Sequence, residues 1–335
     1  MNDNRKLALN LQRFDADTNT TLSPGLSGEM KTFYEDTLID LAEPELLHEQ
    51  FADKYPIPKN GGKTIEFRKY DSLPKALTPI TEGVTPKGNK LSMTTMTAEI
   101  DQYGDWIQLS DVLQLTSIDN NVVQATKLLG SQSGRTLDTV CRDVLAGGTN
   151  VYYQTKGDGT AVTSRTGLDA TCVLTPTTIK RVAAILKGVN AQKIDGSFVA
   201  IIHPYVAEDI MEQDGWIDVV KYGKQEHIFN GEIGKIGGVR FVESTEAKIW
   251  KDDSCPDGLA VFSTLVMGAH AYATTEIAGG GLQHIVKQLG YGDDPLNQRS
   301  SCGWKAITVT ERLIEQYMIR IESVSVMNES VTEAN

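Results

Sequence analysis

The sequence predicts an α+β fold with a two-stranded projection, and three observations carry that reading. Residues 63–70 and 94–101 alternate apolar and polar side chains as strands do, yet about twenty residues separate them. Residues 119–146 repeat apolar side chains close to the helical period. From about residue 167 to 290 short helix and strand signals mix, and further strands close the chain.

The elements follow in order. Residues 1–26 are polar, without periodicity, and end in Ser23-Pro24-Gly25, which reads as an extended arm. Ser27 is placed as an N-cap for a helix carrying Phe33, Leu38, Ile39 and Leu41. Pro44 fits the first turn of a second short helix with Leu46, Leu47 and Phe51. Residues 27–53 hold eight acids and one lysine, a net −7.

The segment 63–101 is the most informative. Ile65 and Phe67 share one strand face, as do Met96, Ala98 and Ile100 on the other strand. Between the strands lie Pro74, Pro79, Pro86, Gly83 and Gly88. Hairpin loops usually have about 2–5 residues, and a structureless loop of about 20 does not suit a compact body. A long two-stranded arm resolves the conflict. Alone in water such an arm is marginal, so it is expected to rest on another chain.

The helix over 119–146 is expected to start at Asp119 and stop at Gly147-Gly148, running about 40 Å. Its packing stripe reads as Leu129, Leu137, Val140 and Val144, flanked by Val122 and Leu145. Gly130 and Gly134 lie inside it at a cost of about 1 kcal/mol each relative to Ala. Beyond it, Thr175-Pro176 starts a helix carrying Ile179, Val182, Ala183 and Leu186, and Pro204 starts another through Met211. Strands are expected at 198–202, 239–242, 259–262, 284–286, 304–309 and 318–326.

Composition narrows the function. The 335 residues carry 32 Lys+Arg against 44 Asp+Glu, a net charge of −12, which argues against broad coating of nucleic acid. No apolar run approaches the roughly 18 residues of a membrane span, and residues 1–14 lack the apolar core of an export signal. Cys141, Cys172, Cys255 and Cys302 are too far apart for CxxC motifs and read as reduced thiols. His48, His203, His227, His270 and His284 are equally scattered, so no metal site is expected.

Motifs for turnover fail letter by letter. Gly62-Lys63-Thr64 ends like a phosphate loop, but its first glycine position holds Ile57 and a strand follows. Asp15, Asp17 and Asn19 begin like a calcium loop, yet Thr20 and Leu26 replace the turn glycine and the bidentate Glu. Gly231, Gly234, Gly237 and Gly238 suit tight turns between short strands better than a dinucleotide site. No nucleophile elbow survives, so no catalytic residue and no cofactor are expected.

Two longer runs carry a resemblance. The first is His203-Pro204-Tyr205-Val206-Ala207-Glu208-Asp209-Ile210, then Trp216, then Gly231 through Arg240. The second is Asp294-Pro295-Leu296-Asn297-Gln298-Arg299 with Gly303-Trp304-Lys305. Together they resemble major capsid proteins of the phage N-four type. The resemblance implies the Hong Kong 97 capsid fold, with an N-terminal arm over 1–61 and an extended β-hairpin loop over 62–110. It also implies a peripheral domain with a spine helix over 111–165 and 291–335, and an axial domain over 166–290. By function it implies a virion shell protein assembled in the host bacterial cytoplasm into hexamers and pentamers around double-stranded DNA. Implied partners are copies of itself, a portal, cement proteins and, without a scaffolding extension of its own, a separate scaffolding protein. No membrane is involved.

Expected contacts between subunits are Arg68, Lys69, Leu73, Leu77, Ile80, Val84, Lys87 and Lys90 in the loop. Their opposite numbers are the acids Glu35, Asp36, Asp40, Glu43 and Glu45, because residues 63–98 carry a net +3. Arg5, Lys6 and Arg13 would either touch DNA or pair with a neighbour's acids. An encapsulin-type nanocompartment shell protein shares the implied fold and is the nearest alternative. From another class, an α/β enzyme would require a cleft with convergent titratable groups.

Overall fold

The computed structural model describes residues 46–70, 73–116, 121–213, 232–256, 258–277, 280–292 and 294–335. The 1–26 arm, the helix expected from Ser27 and the Asp119 cap lie outside them.

Two sheets share one long helix. The chain enters through a turn and the short strand β1 (Asp53–Lys54). The ribbon β2 (Thr64–Tyr70) and β3 (Met93–Glu99) follows, then β4 (Asp101–Ser110) and the single-turn helix α1 (Asp111–Thr116). The spine helix α2 (Asn121–Ala146) leads to β5 (Val151–Tyr153). Next come α3 (Pro176–Gly188), β6 (Phe198–Ile202) and α4 (Pro204–Met211). Then β7 (Glu232–Ile236), β8 (Val239–Glu243), β9 (Ile249–Trp250) and β10 (Val261–Met267) complete the lobe. The chain closes with β11 (Tyr272–Glu276), β12 (Gln283–Lys287), β13 (Arg299–Arg312) and β14 (Met318–Ser323).

Seven strands form the larger sheet, in the order β5-β14-β10-β6-β8-β7 with β9 on β10. Its central strand β6 explains why Phe198–Ile202 is apolar throughout. Phe198, Ala200 and Ile202 pack with Leu174, Ile179, Val182 and Leu186, while Val199 and Ile201 face Cys141 and Leu145. Both faces are covered, so no polar alternation is needed. Between β7 and β8 the turn pair Gly237-Gly238 has φ of 61° and 91°, a two-residue connection that glycine takes without strain.

The five-stranded sheet is organised by the fourteen-residue β13. Thr308 pairs with Asp101 of β4 on one side and Glu276 of β11 on the other. β11 and β12 therefore follow one another along one edge of β13, and β4 takes the opposite edge.

The spine helix joins the sheets. Ala125, Leu129 and Leu137 pack on Cys302, Trp304 and Ala306 of β13, and Cys141 and Leu145 pack under the larger sheet. The buried line therefore advances in steps of four through Ser133 and Gly134. Leu129 and Leu137 are where the apolar stripe placed them; Val140 and Val144 lie at its half-buried margin. Small residues at 130, 133 and 134 let the helix sit close to the strands, and an apolar-only stripe passes over them.

Other boundaries shift. The second short helix, expected around Leu46 to Phe51, is a turn followed by β1, although Leu46, Leu47 and Phe51 still pack into the cores. The strand expected at 259–262 starts at Val261 and reaches Met267; that at 304–309 is the middle of β13; that at 318–326 ends at Ser323.

Polar pins hold the frame. His48 Nδ1 meets Asp138 Oδ2 at 2.6 Å and its backbone N–H donates to Asp138 Oδ1 at 2.7 Å, both residues fully buried. Tyr272 donates its hydroxyl to the His48 carbonyl. The first described turn of the chain is thus fastened to the spine helix. Buried Glu322 accepts both arms of the Arg165 fork at 2.8 Å and Arg320 Nε at 3.0 Å, with Arg165 stacked 3.9 Å over Trp250.

Leu137→Ala is expected to cost about 2–5 kcal/mol by leaving a cavity under the spine helix. Val144→Ala, at the half-buried margin, should cost less, as urea denaturation of the two variants would measure. A second expectation concerns His203, whose Nδ1 accepts from the Tyr205 N–H at 3.2 Å and caps α4. Burial among aromatic rings pushes its imidazole down to about 4, from 6.5. The unfolded chain takes up this proton first, so stability is lost as pH falls from about 6.5 toward 4, by about 3 kcal/mol at the limit. His203→Asn keeps a capping acceptor without the titration, and its melting temperature should fall less than wild type's between pH 7 and pH 4.5.

Candidate functional site

Among the described residues, the longest stretch that the fold leaves uncovered is carried by the ribbon β2–β3. Its register runs from Thr64 opposite Glu99 to Tyr70 opposite Met93, and it sets the apolar faces read from the alternation, Ile65 with Ala98 and Phe67 with Met96, opposite each other. At the base, Ala98 and Ile100 are buried, and Ile65, Phe67 and Met96 are half-buried. Phe67 meets Tyr55 edge-on at 5.8 Å between ring centroids. A hollow of about 410 Å³ lies between this base and the body, lined by Tyr55, Phe67, Met96, His270 and Leu313 among others. At its margin His270 Nδ1 meets Asp53 Oδ2 at 2.7 Å.

Beyond the base no described residue covers the chain. Residues 73–92 form no helix or strand and all are exposed. Leu77 is 82% exposed, Ile80 75% and Leu91 75%, with Leu73 and Val84 also open. Single exposed apolar side chains are ordinary, but five along one extended loop form a surface that water disfavours. Lys75, Lys87 and Lys90 stand among them, and Arg68 and Lys69 on β2 are exposed as well. Arg68 Nε donates to Glu66 at 3.0 Å and Lys63 to Glu99 at 2.6 Å, leaving the projection net basic. All eight loop residues expected at an interface therefore sit on one open projection. The acidic set Glu35, Asp36, Asp40, Glu43 and Glu45 lies outside the described residues.

A second open surface had no sequence signal. On the outer face of the five-stranded sheet, Trp106 is 62% exposed beside Gly303 and Ile285. A Cβ on Gly303 would stand 2.7 Å from that of Trp106, and one on Gly104 would stand 2.6 Å from the Trp304 carbonyl oxygen. The two glycines thus floor a hollow of about 400 Å³ with Trp106 as its wall.

Groups suited to chemistry are sealed or scattered. All four thiols are free and buried, and burial pushes each of them up, away from the reactive thiolate. The His48–Asp138 pair is closed to solvent, so it holds the chain rather than meeting a substrate. Among the described residues no three His, Cys, Asp or Glu side chains gather as a metal site, and no helix is long and apolar enough to cross a membrane.

Comparisons with known proteins give one consistent result. The family described as phage capsid protein matches residues 93–280, more than half of the chain. The fold is similar to the capsid of Ralstonia phage GP4, with a TM-score of 0.64 at 15% identity over 82% of this chain and 87% of that one. The capsid of cyanophage Pam1 gives a TM-score of 0.61 at 14% identity, over 96% and 99% of the two chains. The SrpI encapsulin of Synechococcus elongatus gives 0.53 at 8% identity, over 83% and 86%. No curated protein matches the sequence.

Proposed function

The chain belongs to the phage capsid protein family, and from that premise we propose that it is the major shell subunit, closing into rings of five and six that tile an icosahedral capsid. It has the Hong Kong 97-like fold, is a component of the virion, and builds a shell by self-association rather than catalysing a reaction. The observation that carries the ring reading is the ribbon with its open loop. A two-stranded arm with exposed Leu73, Leu77, Ile80 and Val84 repays its ordering only on another copy.

In the proposed division, residues 1–61 are the arm, 62–110 the extended loop, 111–165 with 291–335 the peripheral domain, and 166–290 the axial domain. The strand β4 belongs to the five-stranded sheet, so the projecting part of the loop segment is 64–99. The two sheets joined by one helix support this division. Kinship with the N-four type of capsid protein rests on the 203–210, 231–240 and 294–305 runs. Assembly in the host cytoplasm with a separate scaffolding protein, a portal and cement proteins completes the proposal. With a net charge of −12, the shell holds double-stranded DNA by confinement and counterions rather than by sequence-specific contacts. The family match favours a phage shell over an encapsulin compartment, whose likeness is one of fold.

Within a ring, the basic loop meets acidic chain of the neighbour: Arg68, Lys69, Lys87 and Lys90 guide encounter toward Glu35, Asp36, Asp40, Glu43 and Glu45. Exposed pairs contribute only about 0–1 kcal/mol each, so the apolar loop residues supply most of the burial. The Leu129, Leu137, Val140 and Val144 stripe serves the subunit's own packing.

Assembly followed by light scattering, with negative-stain images of the product, tests the reading. Wild type should form closed shells. Lys69→Glu, Lys87→Glu and Lys90→Glu together should assemble markedly slower at low salt and less so at 1 M, where screening shortens to about 3 Å. A monodisperse 36.6 kDa monomer in the wild type would contradict the shell reading, and an unchanged triple variant would contradict electrostatic guidance.

A further inference from the structure

We propose that the hollow beside Trp106 holds an unpaired base of a single-stranded nucleic acid, with the adjoining phosphate on Lys287. This goes beyond the shell reading and does not depend on it.

Register lays the slot out. Trp106 of β4, Gly303 of β13 and Ile285 of β12 stand in one row across the sheet. The next residues along, Ile107, Cys302 and Val286, pack toward the spine helix, so this row faces away from it. Neighbouring strands lie about 4.8 Å apart, which sets Trp106 and Ile285 about 10 Å from each other. Glycine between them leaves the span open as the hollow of about 400 Å³. A flat ring needs about 3.5–4 Å of clearance on each face, so one ring fits between the two side chains. A puckered sugar is thicker and fits less well.

The rows on either side supply polar groups. Gln108, Ser301 and Lys287 form the row one step along the strands, and Gly104, Lys305 and Gln283 the row one step back. These three rows carry two lysines and no acid. A second hollow of about 320 Å³ lies over Gln108, Tyr291 and Arg299 and shares Trp106, Lys287 and Ser301 with the first. Lys287 Nζ stands 5.2 Å from the centre of the Tyr291 ring. The nearby carboxylates are engaged. Asp105 accepts from the Trp106 N–H at 2.8 Å and from Gln132 at 2.6 Å. Asp294 accepts the Arg299 N–H at 2.7 Å.

An apolar slot walled by an exposed tryptophan, next to a hollow bearing Lys287, a hydroxyl and an amide, matches a stacked base with its phosphate. Because the two hollows share residues, they form one groove along the strands, which suits a strand more than a lone nucleotide. Stacking accepts any base, so the contact reads no sequence. The chain's net charge of −12 keeps it local, to one or two phosphates rather than a coat.

Fluorescence anisotropy of a labelled deoxyadenylate hexamer on the full-length chain tests the assignment. A hexamer of equal charge with abasic sites, deoxyadenosine monophosphate and sialyllactose serve as comparisons. The base-bearing hexamer should bind about tenfold or more tighter than the abasic one, and Trp106→Ala should remove that difference. Lys287→Gln should lower the slope of log affinity against log salt by about 0.7, the loss of one phosphate contact. Photo-crosslinking wild-type protein to an iododeoxyuridine hexamer locates the site without any substitution, with products expected in residues 102–110 or 283–305. No binding, equal binding of the two hexamers, or crosslinks confined to other residues would overturn the proposal. Monophosphate binding as tight as the hexamer's would overturn the assignment to a strand, and displacement of the hexamer by sialyllactose would give the slot to a sugar instead. If Trp106→Ala fails to fold, the wild-type crosslink and the abasic comparison decide.

Discussion

A ribbon of two strands has one hydrogen-bonded seam and two open edges, and in water that is not enough to hold it extended. This constraint organises the molecule. The chain carries β2 and β3 away from its own core, loads the loop between them with Leu73, Leu77, Ile80, Val84 and Leu91, and gives them no cover. A monomer built this way is unfinished. We propose that its missing contacts come from copies of itself, in keeping with a shell built by self-association.

The rest of the fold supplies the rigidity such a projection needs. β3 passes into β4 with one residue between them, and β4 pairs along ten residues of β13, so the ribbon is rooted in a sheet rather than in a loop. The spine helix packs that sheet with its first half and the larger sheet with its second. His48 and Asp138, sealed between them, fasten the incoming chain to the same helix.

Much of this was legible because period and burial coincide. The strands β2 and β3 follow from the alternation of Ile65, Phe67, Met96 and Ala98, and α3 follows from Thr175-Pro176 and its apolar stripe. β4 was not legible: Asp105 interrupts its apolar side and Gly104 leaves a gap on the other face, yet Asp105 bonds Gln132 and Gly104 is needed where a Cβ would meet the Trp304 carbonyl. The spine stripe turned because its buried line runs through Gly130, Ser133 and Gly134, which carry no hydrophobic signal. Pro44 suggested a helix where Leu46, Leu47 and Phe51 instead serve as anchors on a turn. The pair His48 and Asp138 spans ninety positions, so no local pattern announces it. For the candidate surface, composition marked the basic loop, whereas the hollow beside Trp106 is a property of cross-strand register.

Amide hydrogen exchange compared between the unassembled subunit and the closed shell tests the central claim most directly. In the subunit, amides of Thr64–Tyr70 and Met93–Glu99 should exchange fast, while those of Phe198–Ile202 and Val261–Met267 stay protected. In the shell, the ribbon amides should slow by about a hundredfold or more, with the core strands little changed. A ribbon already protected to the level of the core in the subunit, or no slower in the shell, would contradict the account.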